Sequence, residues 1–492
     1  MSTTARVALG DGLDPLRSPL LDAELPGLRT ALDGDAVRGH LEAALRPRRA
    51  VARSTPGQAT YLGGRCVVRY RLELEGDPPS AALVTGRVFA DRERCTRYVE
   101  ERLAPLAESV RGREELDPFA TPVGMVEPLR MAVQVFPVDG ELPTLVDATD
   151  RRRMLGVLGE ALPATGEDGL AVEDCQVELG HYGRQHRCVL RYHVDARAAG
   201  GGRRRVLVYG KVAGDGRGAL AEPVTGALRR LLAQQDGDGF GVPRCYGFRP
   251  DLQLALFEAI PGVPQVAQLL KARIQGGTER GPSGGLTLEE SVEACARIAA
   301  TLHTSGIGLG RSRTFGDEAA GLRSGFSLVR RVSPGLGERL DAWLDLAEER
   351  AAASGPLPAG FGHGDFSYTQ LIFEGRRSGL VDFDTVCQAE PALDLGQFLA
   401  YLAVAGRKAR APDGPGPGAG ASLAGQLGTR FLDAYAEAAG AARAGLLDRA
   451  AVYEMVSLLR LAFHSWQKLK RSRLEHVVDV LDERVPELAA RG

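Results

Sequence analysis

The apolar positions of the chain fall into the same order of elements twice. Residues 65–70 read RCVVRY and residues 187–192 read RCVLRY, and these runs predict strands over 66–74 and 188–194. A second strand, a helical stretch rich in Ala, Arg and Glu, and two further strands follow in both copies. The copies lie about 122 to 124 residues apart, far more than the period of a solenoid repeat. The sequence therefore predicts a duplicated, β-rich lobe.

The remainder of the chain has the periodicity of helices. Thr287 and Glu290 have the spacing of a capping box, and apolar residues then recur on one helical face as far as His303. We expect further helices over three stretches near the C-terminus, namely 395–405, 452–469 and 474–488. Gly and Pro are concentrated in residues 410–425, which predicts a loop. The fold class predicted is α+β, with a mainly helical C-terminal part.

Composition excludes several classes of protein. Of the 492 residues, 44% are hydrophobic and 25% charged, and the net charge is −2, which gives no overall attraction to nucleic acid. The seven scattered cysteines include no CxxC pair, so we expect reduced, mostly buried thiols. Residues 1–12 do not resemble a secretory signal, and no run of 18 apolar residues predicts a membrane span. A cytoplasmic location is expected.

Candidate chemistry lies at residues 363–370, which read HGDFSYTQ, and at residues 382–384, which read DFD. Two short apolar runs with a turn-like stretch between them separate the motifs, which predicts a β-hairpin that directs Asp365 and Asp382 to one cavity. One carboxylate can then accept the proton of an attacking hydroxyl while the other holds the magnesium that neutralises nucleotide phosphates. This arrangement favours phosphoryl transfer.

These motifs resemble those of the aminoglycoside phosphotransferase and choline kinase superfamily, and so do residues 390–396, which read EPALDLG. The resemblance implies a bilobal, protein-kinase-like fold that uses ATP and Mg²⁺. It implies that Asp365 is the catalytic base and Asp382 a magnesium ligand. It further implies that Asp384 assists near the metal and that Asp394 is a buried aspartate that steadies the catalytic loop.

One position departs from the pattern of the superfamily. Five residues after the catalytic aspartate the superfamily has Asn as a second metal ligand, whereas this chain has Gln370. Gln carries the same carboxamide on a longer stem, so Gln370 is the expected second ligand with an altered geometry.

The second copy of the duplicated lobe is the expected site for the nucleotide. Lys211 follows an apolar strand and resembles the kinase lysine that contacts the phosphates. We expect it to point towards Asp382 and to pair with a helix carboxylate, that of Glu222. Glycines in residues 180–183 suit a loop over phosphates, and residues 257–262 resemble the hinge whose backbone pairs with adenine. The candidate nucleotide-binding residues are Gly180, Gly183, Lys211, Glu222, Glu258 and Ile260.

The first copy has Arg87 in the position of Lys211 and is followed by no HGD motif of its own. Since Arg does not imitate a compact ammonium group, we expect Arg87 to point away from the catalytic aspartates. The predicted domains are a pseudo N-lobe over residues 1–150, a nucleotide-binding N-lobe over 151–262 and a helical catalytic C-lobe over 263–492. The pseudo N-lobe is expected to dock on the second lobe, to contribute to a substrate cleft, or to bind a protein or peptide.

The function predicted is transfer of the γ-phosphate of ATP to a hydroxyl of a small molecule, as in aminoglycoside phosphotransferases. A sugar or peptide hydroxyl kinase is one alternative, and a pseudokinase that binds a nucleotide or a partner without turnover is another. No nucleic acid or membrane partner is expected. The basic run at residues 468–473 reads KLKRSR, which indicates a solvated helix end or an anion-binding segment.

Overall fold

The computed structural model describes residues 13–164, 170–184, 186–198, 200–234, 239–277, 280–409 and 418–490. Residues 1–12, in which no secretory signal was expected, lie outside the described residues, and so do residues 410–417 of the predicted loop.

The first sheet has five antiparallel strands in the order β1-β2-β3-β5-β4. Three helices precede this sheet, and two lie between its third and fourth strands. The elements are α1 (Pro19–Glu24), α2 (Leu28–Leu32), α3 (Gly34–Leu45), β1 (Val51–Tyr61), β2 (Arg65–Leu74), β3 (Ser80–Phe89), α4 (Arg92–Tyr98), α5 (Ala104–Ser109), β4 (Val123–Val126) and β5 (Met131–Val135).

The second sheet repeats this order as β6-β7-β8-β10-β9, again antiparallel. Its elements are α6 (Leu145–Ala148), α7 (Arg151–Ala164), β6 (Ala171–Arg184), β7 (Arg187–Arg197), β8 (Arg203–Ala213), α8 (Ala221–Ala233), β9 (Cys245–Arg249) and β10 (Leu254–Glu258). The strands predicted over 66–74 and 188–194 lie within β2 and β7.

The registers of the two sheets also agree. Arg87 of β3 pairs with Val67 and Ala132, and Lys211 of β8 pairs with the corresponding residues of its own sheet, Val189 and Ala255. The buried tyrosines of the RCVVRY and RCVLRY runs are equivalent as well. Tyr70 donates a hydrogen bond to Ala31 O in α2, and Tyr192 donates one to Ala148 O in α6. The sequence repeat therefore corresponds to two sheets of one topology.

The C-terminal half is mainly helical, with short strands around the catalytic motifs. Its elements are α9 (Val266–Ile274), α10 (Leu288–His303), β11 (Arg311–Ser312), α11 (Phe315–Val332), α12 (Pro334–Ser354), β12 (Gly360–Gly362), β13 (Leu371–Glu374), β14 (Arg377–Leu380), β15 (Cys387–Ala389), α13 (Ala392–Lys408), α14 (Gly418–Ala439), α15 (Arg443–Gln467) and α16 (Arg471–Ala489). Thr287 and Glu290 form the capping box expected at the start of α10. The predicted α+β fold class is confirmed, since the chain has two five-stranded sheets and a mainly helical C-terminal half.

Residues 418–425 differ from the prediction of a loop, because they form the first two turns of α14. Helix α14 packs against α10 and α13, and Gly420 and Gly406 let the backbones of α14 and α13 approach closely. Tertiary packing thus overrides the low helix propensity of a glycine-rich sequence.

The first sheet shares one hydrophobic core with five C-terminal helices, namely α11, α12, α13, α15 and α16. Tyr61 of β1 contacts Trp466 of α15 edge to face, with ring centroids 5.6 Å apart. The second sheet builds a separate core with α6 and α7. All seven cysteines are buried and free, as expected. Among the described residues, no helix has the length and apolar character needed to cross a membrane.

Candidate active site

The predicted hairpin between the two catalytic motifs is present as β13 and β14, which pair in an antiparallel register. Immediately outside this hairpin, Val381 N donates a hydrogen bond to Gln370 O over 3.0 Å. The residue before β13 therefore lies beside the segment that begins with Asp382. Asp382 itself adopts a left-handed backbone conformation, with φ of 70°.

Gly364 is required by the geometry of the catalytic loop. Its φ is +74°, and a Cβ at this position would lie 2.1 Å from Thr385 O. The loop is held in this position by Asp394, which accepts hydrogen bonds from His363 N (2.6 Å) and Gly364 N (2.8 Å). Asp394 therefore has the supporting contacts that the resemblance implied.

The side chain of Asp394 is almost fully buried and lies 3.1 Å from His303 Nε2. Burial alone would raise the pKa of Asp394. The hydrogen bond and charge of His303, together with the charge and backbone N–H of His363, outweigh burial and lower that pKa below its ordinary value. The Asp394 carboxylate thus remains ionised inside the protein.

Asp365 receives a hydrogen bond from Gln397 Nε2 at 2.8 Å. Gln397 is buried on α13, three residues after Asp394. The same helix therefore carries Asp394, which holds the loop, and Gln397, which contacts Asp365. Sequence reasoning did not identify Gln397. Its spacing from Asp394 was the available signal, because residues three apart share a helical face.

Lys211 reaches the second motif from the second sheet. Its Nζ lies 2.6 Å from Asp382 Oδ1 and 3.3 Å from Asp384 Oδ1. The contact with Asp382 joins residues 171 positions apart and was expected from the orientation predicted for Lys211. Arg187, at the start of β7, adds a second cation 3.7 Å from Asp384 Oδ2 and was not predicted.

This cluster of two cations and two carboxylates is largely shielded from solvent, which affects its charge states. Burial alone would lower the pKa of Lys211, but Asp382 and Asp384 outweigh burial and raise it, so the ammonium is retained. Burial raises the pKa of Asp384; Lys211 opposes this rise and the charge of Asp382 adds to it. Two carboxylates so close together favour a bound cation.

The prediction that Lys211 pairs with the helix carboxylate Glu222 is wrong. Glu222 lies at the start of α8 and is exposed, and its charge acts on Cys245. Among the described residues, the ion pairs of Lys211 are those with Asp382 and Asp384. The carboxylates of the second motif already neutralise the lysine, which leaves no electrostatic need for a helix carboxylate.

The predicted hinge lies where β10 leaves the second sheet. Glu258 accepts a hydrogen bond from Arg244 N at 3.0 Å and lies 3.6 Å from the guanidinium of Arg229. Ile260 lies against Gly379 of β14 and thereby contacts the hairpin between the catalytic motifs. The segment thus connects the second sheet to the catalytic half.

The glycine-containing segment predicted to be a flexible loop over phosphates is instead the irregular end of β6. Gly180 and Gly183 lie in this strand, whose register with β7 shifts twice between Leu179 and Arg184. Tyr182, between the two glycines, is buried against the first sheet and donates a hydrogen bond to Asp139.

Other residues of the first sheet also hold this strand end. The guanidinium carbon of Arg69 lies 4.0 Å from the centroid of the Tyr182 ring, and the ring of Phe136 contacts it edge to face. Gln58 Nε2 donates to Gly183 O at 2.8 Å. The first sheet therefore contacts the predicted phosphate-binding segment directly.

Arg87 is buried away from this cluster, in the core of the first copy. Its Nη1 lies 3.5 Å from Glu141 Oε1, and its guanidinium carbon lies 4.8 Å from the Tyr98 ring centroid. Among the described residues, Arg87 forms no ion pair with Asp382 or Asp384, in agreement with the expectation that it does not serve the catalytic motifs.

The carboxylates of Asp382 and Asp384, which both contact Lys211 Nζ, offer oxygens that suit a hard divalent cation. Of Gln370, the expected further ligand, the structure places the backbone O beside Val381. Within the part of the chain that the structure describes, no three His, Cys, Asp or Glu side chains are grouped as a metal site. The magnesium ligands predicted from the sequence are two carboxylates and one amide. Whether they suit the metal therefore depends on the proximity of Asp382 and Asp384 to one another.

A comparison with models of known protein families gives a match, which lies in the C-terminal part of the chain. The family model described as phosphotransferase enzyme family (APH) matches residues 221–453, a little under half of the chain. No curated protein matches the chain. The match includes Asp365 and Asp382 but begins after Lys211 and the first sheet.

Solved structures show only distant likeness. A glucosamine kinase is 17% identical and covers 89% of this chain and 91% of its own, with a TM-score of 0.45. Ethanolamine kinase from Plasmodium vivax is 10% identical, with coverages of 68% and 89% and a TM-score of 0.43. Wild-type aminoglycoside 2′-phosphotransferase-IIIa, in its GDP complex, is 12% identical, with coverages of 67% and 97% and a TM-score of 0.41. These likenesses are too weak to transfer a substrate.

The family match confirms both the resemblance inferred from the two aspartate motifs and the class of enzyme predicted from it. Residues 221–453 thus match the phosphotransferase enzyme family, and the rest of the chain lies outside that match.

Proposed function

We propose that this protein transfers the γ-phosphate of ATP to a hydroxyl group of a small molecule. The observation that carries the proposal is the 2.6 Å contact between Lys211 Nζ and Asp382 Oδ1. This contact joins a strand lysine of the second sheet to the carboxylate that follows the catalytic hairpin. A lysine for phosphates and an acidic metal ligand in one cleft are the recurring parts of phosphoryl-transfer sites.

Asp365 accepts the proton of the attacking hydroxyl. Gln397 fixes the orientation of its carboxylate through the 2.8 Å hydrogen bond, and Asp394 holds the loop that carries it. Lys211 compensates the charge of the nucleotide phosphates. Asp382, Asp384 and Gln370 are the residues that would hold Mg²⁺, which when bound supplies further neutralisation of phosphate charge.

The first experiment replaces Asp365 by Asn. The variant lacks the basic oxygen but keeps the size of the side chain, so we expect turnover to fall about a hundredfold or more while ATP affinity stays nearly unchanged. ATP consumption over a panel of hydroxyl acceptors and calorimetric titration with ATP measure the two quantities. Asp345→Asn is the control, because Asp345 is an exposed aspartate outside this site.

Retained turnover in purified Asp365→Asn would contradict the role of Asp365. ATP binding without turnover by the wild-type protein across the whole panel would favour the pseudokinase alternative instead.

A further inference from the structure

The end of α13 and the start of α16 carry three cations that we call the basic cluster: Lys408, Lys470 and Arg473. The two helices pack together and are joined by ion pairs of Arg407 with Asp479 and Glu483. Lys408 is the last residue of α13, Lys470 immediately precedes α16, and Arg473 lies in the first turn of α16. Burial lowers the pKa of Lys408, and the charges of Arg473 and Lys470 lower it further, so the three charges are near enough to repel one another.

No carboxylate of the described residues forms an ion pair with the basic cluster. Among the described residues, no Asp or Glu lies within 4.0 Å of any of its three cations, and Arg473 Nε is buried without a hydrogen-bond partner. Adjacent arginines differ in this respect. Arg407 lies 2.8 Å from Glu483, and Arg471 lies 2.8 Å from Glu475. Uncompensated like charges cost stability, so their proximity points to an anionic ligand.

The basic cluster is connected to the catalytic base by one face of α13. Gln397, which contacts Asp365, Tyr401 and Lys408 follow one another at spacings of four and seven residues, which place side chains on a common helical face. From Gln397 to Lys408 the helix rises about 16 Å.

Two tyrosines line the interval between the catalytic base and the basic cluster. Tyr368, three residues after Asp365, contacts Tyr401 edge to face with ring centroids 6.1 Å apart. Burial and Tyr401 raise the pKa of Tyr368 to about 12, and the charge of Arg473 opposes that rise. One face of α13 therefore carries the contact to Asp365, one ring of the tyrosine pair and Lys408 of the basic cluster.

We propose that the basic cluster binds an anionic group of the phosphate acceptor, a carboxylate, phosphate or sulfate, while the hydroxyl of the same molecule lies at Asp365. This inference rests on the proposed function. The N-terminus of α16 adds a favourable partial positive charge beside Lys470. A polycationic acceptor would be repelled by the same cluster.

The chemical step is a conventional phosphoryl transfer. The acceptor oxygen forms a bond to the γ-phosphorus, and the bond from that phosphorus to the bridging oxygen of ATP breaks. ADP leaves with the bridging oxygen and its electron pair, and the hydroxyl proton passes to Asp365. The basic cluster takes no part in this step and fixes only the position and the class of the acceptor.

The test compares acceptors that differ in charge. Linear trisaccharides, which are long enough to span the interval from Asp365 to the basic cluster, are offered beside the corresponding sugar acids and sugar phosphates, for example maltotriose with its aldonic acid and its terminal phosphate. ATP consumption is the readout. Binding of the same compounds to the protein loaded with a non-hydrolysable ATP analogue is measured by calorimetry. We expect anionic members to bind more tightly than their neutral counterparts.

Variants then assign the preference to named side chains. Arg473→Gln and Lys408→Gln should weaken binding of the anionic compounds, and raise their KM, by about tenfold to a hundredfold, as expected for the loss of a charged hydrogen bond. The values of kcat and of KM for ATP should change little. Arg473→Lys should restore part of the loss. Arg471→Gln is the matched control, since Arg471 is already paired with Glu475.

Equal binding of neutral and anionic compounds, or an anion preference that Arg473→Gln leaves intact, would overturn the inference. Phosphorylation of neutral or cationic acceptors alone would overturn it while leaving the proposed function in place. A protein that turns over no acceptor but binds anions through Arg473 would retain the binding site and lose the proposed function.

Discussion

Asp382 and Asp394 are aspartates of the catalytic region with contrasting surroundings. Asp394 is buried and accepts hydrogen bonds from two backbone N–H groups, whereas Asp382 is partly exposed and its carboxylate pairs with Lys211. The first arrangement orients a loop, and the second leaves oxygen atoms available to a further cation. Replacement of the two residues should therefore have different consequences.

Replacement of Asp382 by Ala should abolish magnesium-dependent binding of ATP, because a metal that bridges protein and phosphate oxygens loses its main protein ligand. Metal-free ATP should still bind weakly, since Lys211 remains. Calorimetric titrations with ATP, with and without Mg²⁺, measure both affinities, and Asp433→Ala serves as an exposed control. Unchanged affinity for Mg-ATP would remove Asp382 from the site.

Replacement of Asp394 by Asn should destabilise the protein by about 1–3 kcal/mol at neutral pH, because Asn accepts fewer hydrogen bonds than the buried carboxylate. The pKa of Asp394 is lowered in the folded protein, so the stabilising contribution is complete above the unfolded-state value of about 4 and is lost as the pH falls further. Urea unfolding of wild type and variant from pH 7 to pH 3.5 measures the difference. It should stay constant down to about pH 5 and then shrink; a difference that grows in acid would contradict this assignment.

Single residues were predicted unevenly, for a physical reason. The approach of Lys211 to Asp382 was predictable, because a motif specifies both ends of that contact. The predicted pairing of Lys211 with Glu222 was wrong. The contacts of Gln397 with Asp365 and of Arg187 with Asp384 were not predicted. These depend on how α8, α13 and β7 are oriented in three dimensions, which spacing along the chain does not determine.

Among the helices and strands, local signals were most reliable where they coincide with the tertiary environment. The hairpin of β13 and β14 and the capping box of α10 were predicted correctly, because turn residues and caps act over a few positions. The glycines of β6 and of α14 misled in the same way, because both suggested loops. Contacts with the first sheet hold the first segment in a strand, and contacts with α13 hold the second in a helix.

Over the whole molecule, the duplicated order of strands was the most informative pattern, and it correctly predicted two sheets of one topology. The sequence did not predict how the first sheet is attached. It shares its core with five C-terminal helices and also buries Tyr182 at the end of β6. Contacts between segments hundreds of residues apart leave no local periodicity. The domain limits at residues 150 and 262 remain predictions.

The burial of Tyr182 makes the two sheets interdependent, which a pair of variants can test. Tyr182→Ala removes the ring that Arg69 and Phe136 contact, so we expect β6 to loosen and ATP to bind about tenfold more weakly, a loss of about 1.4 kcal/mol. Tyr182→Phe keeps the ring and loses only the hydrogen bond to Asp139, so its effect on calorimetric ATP affinity should be smaller.

Tyr70→Phe is the control for this pair, because it removes an equally buried hydroxyl from the core of the first sheet without touching β6. ATP affinity that is unchanged in folded Tyr182→Ala would show that the first sheet does not influence nucleotide binding.

The strand cations of the two copies obtain their counter-charges from different places. Arg87 is paired by Glu141, which follows its own sheet, while Lys211 is paired by carboxylates of the catalytic half. The Arg87–Glu141 pair lies outside the second sheet and the catalytic motifs, so a change at one of these positions can be compensated at the other. Position 211 is tied to a motif more than 170 residues away, and a mutation there cannot be compensated from within its own repeat. The two copies therefore differ in their tolerance of substitution at the strand cation, which is higher at Arg87 than at Lys211.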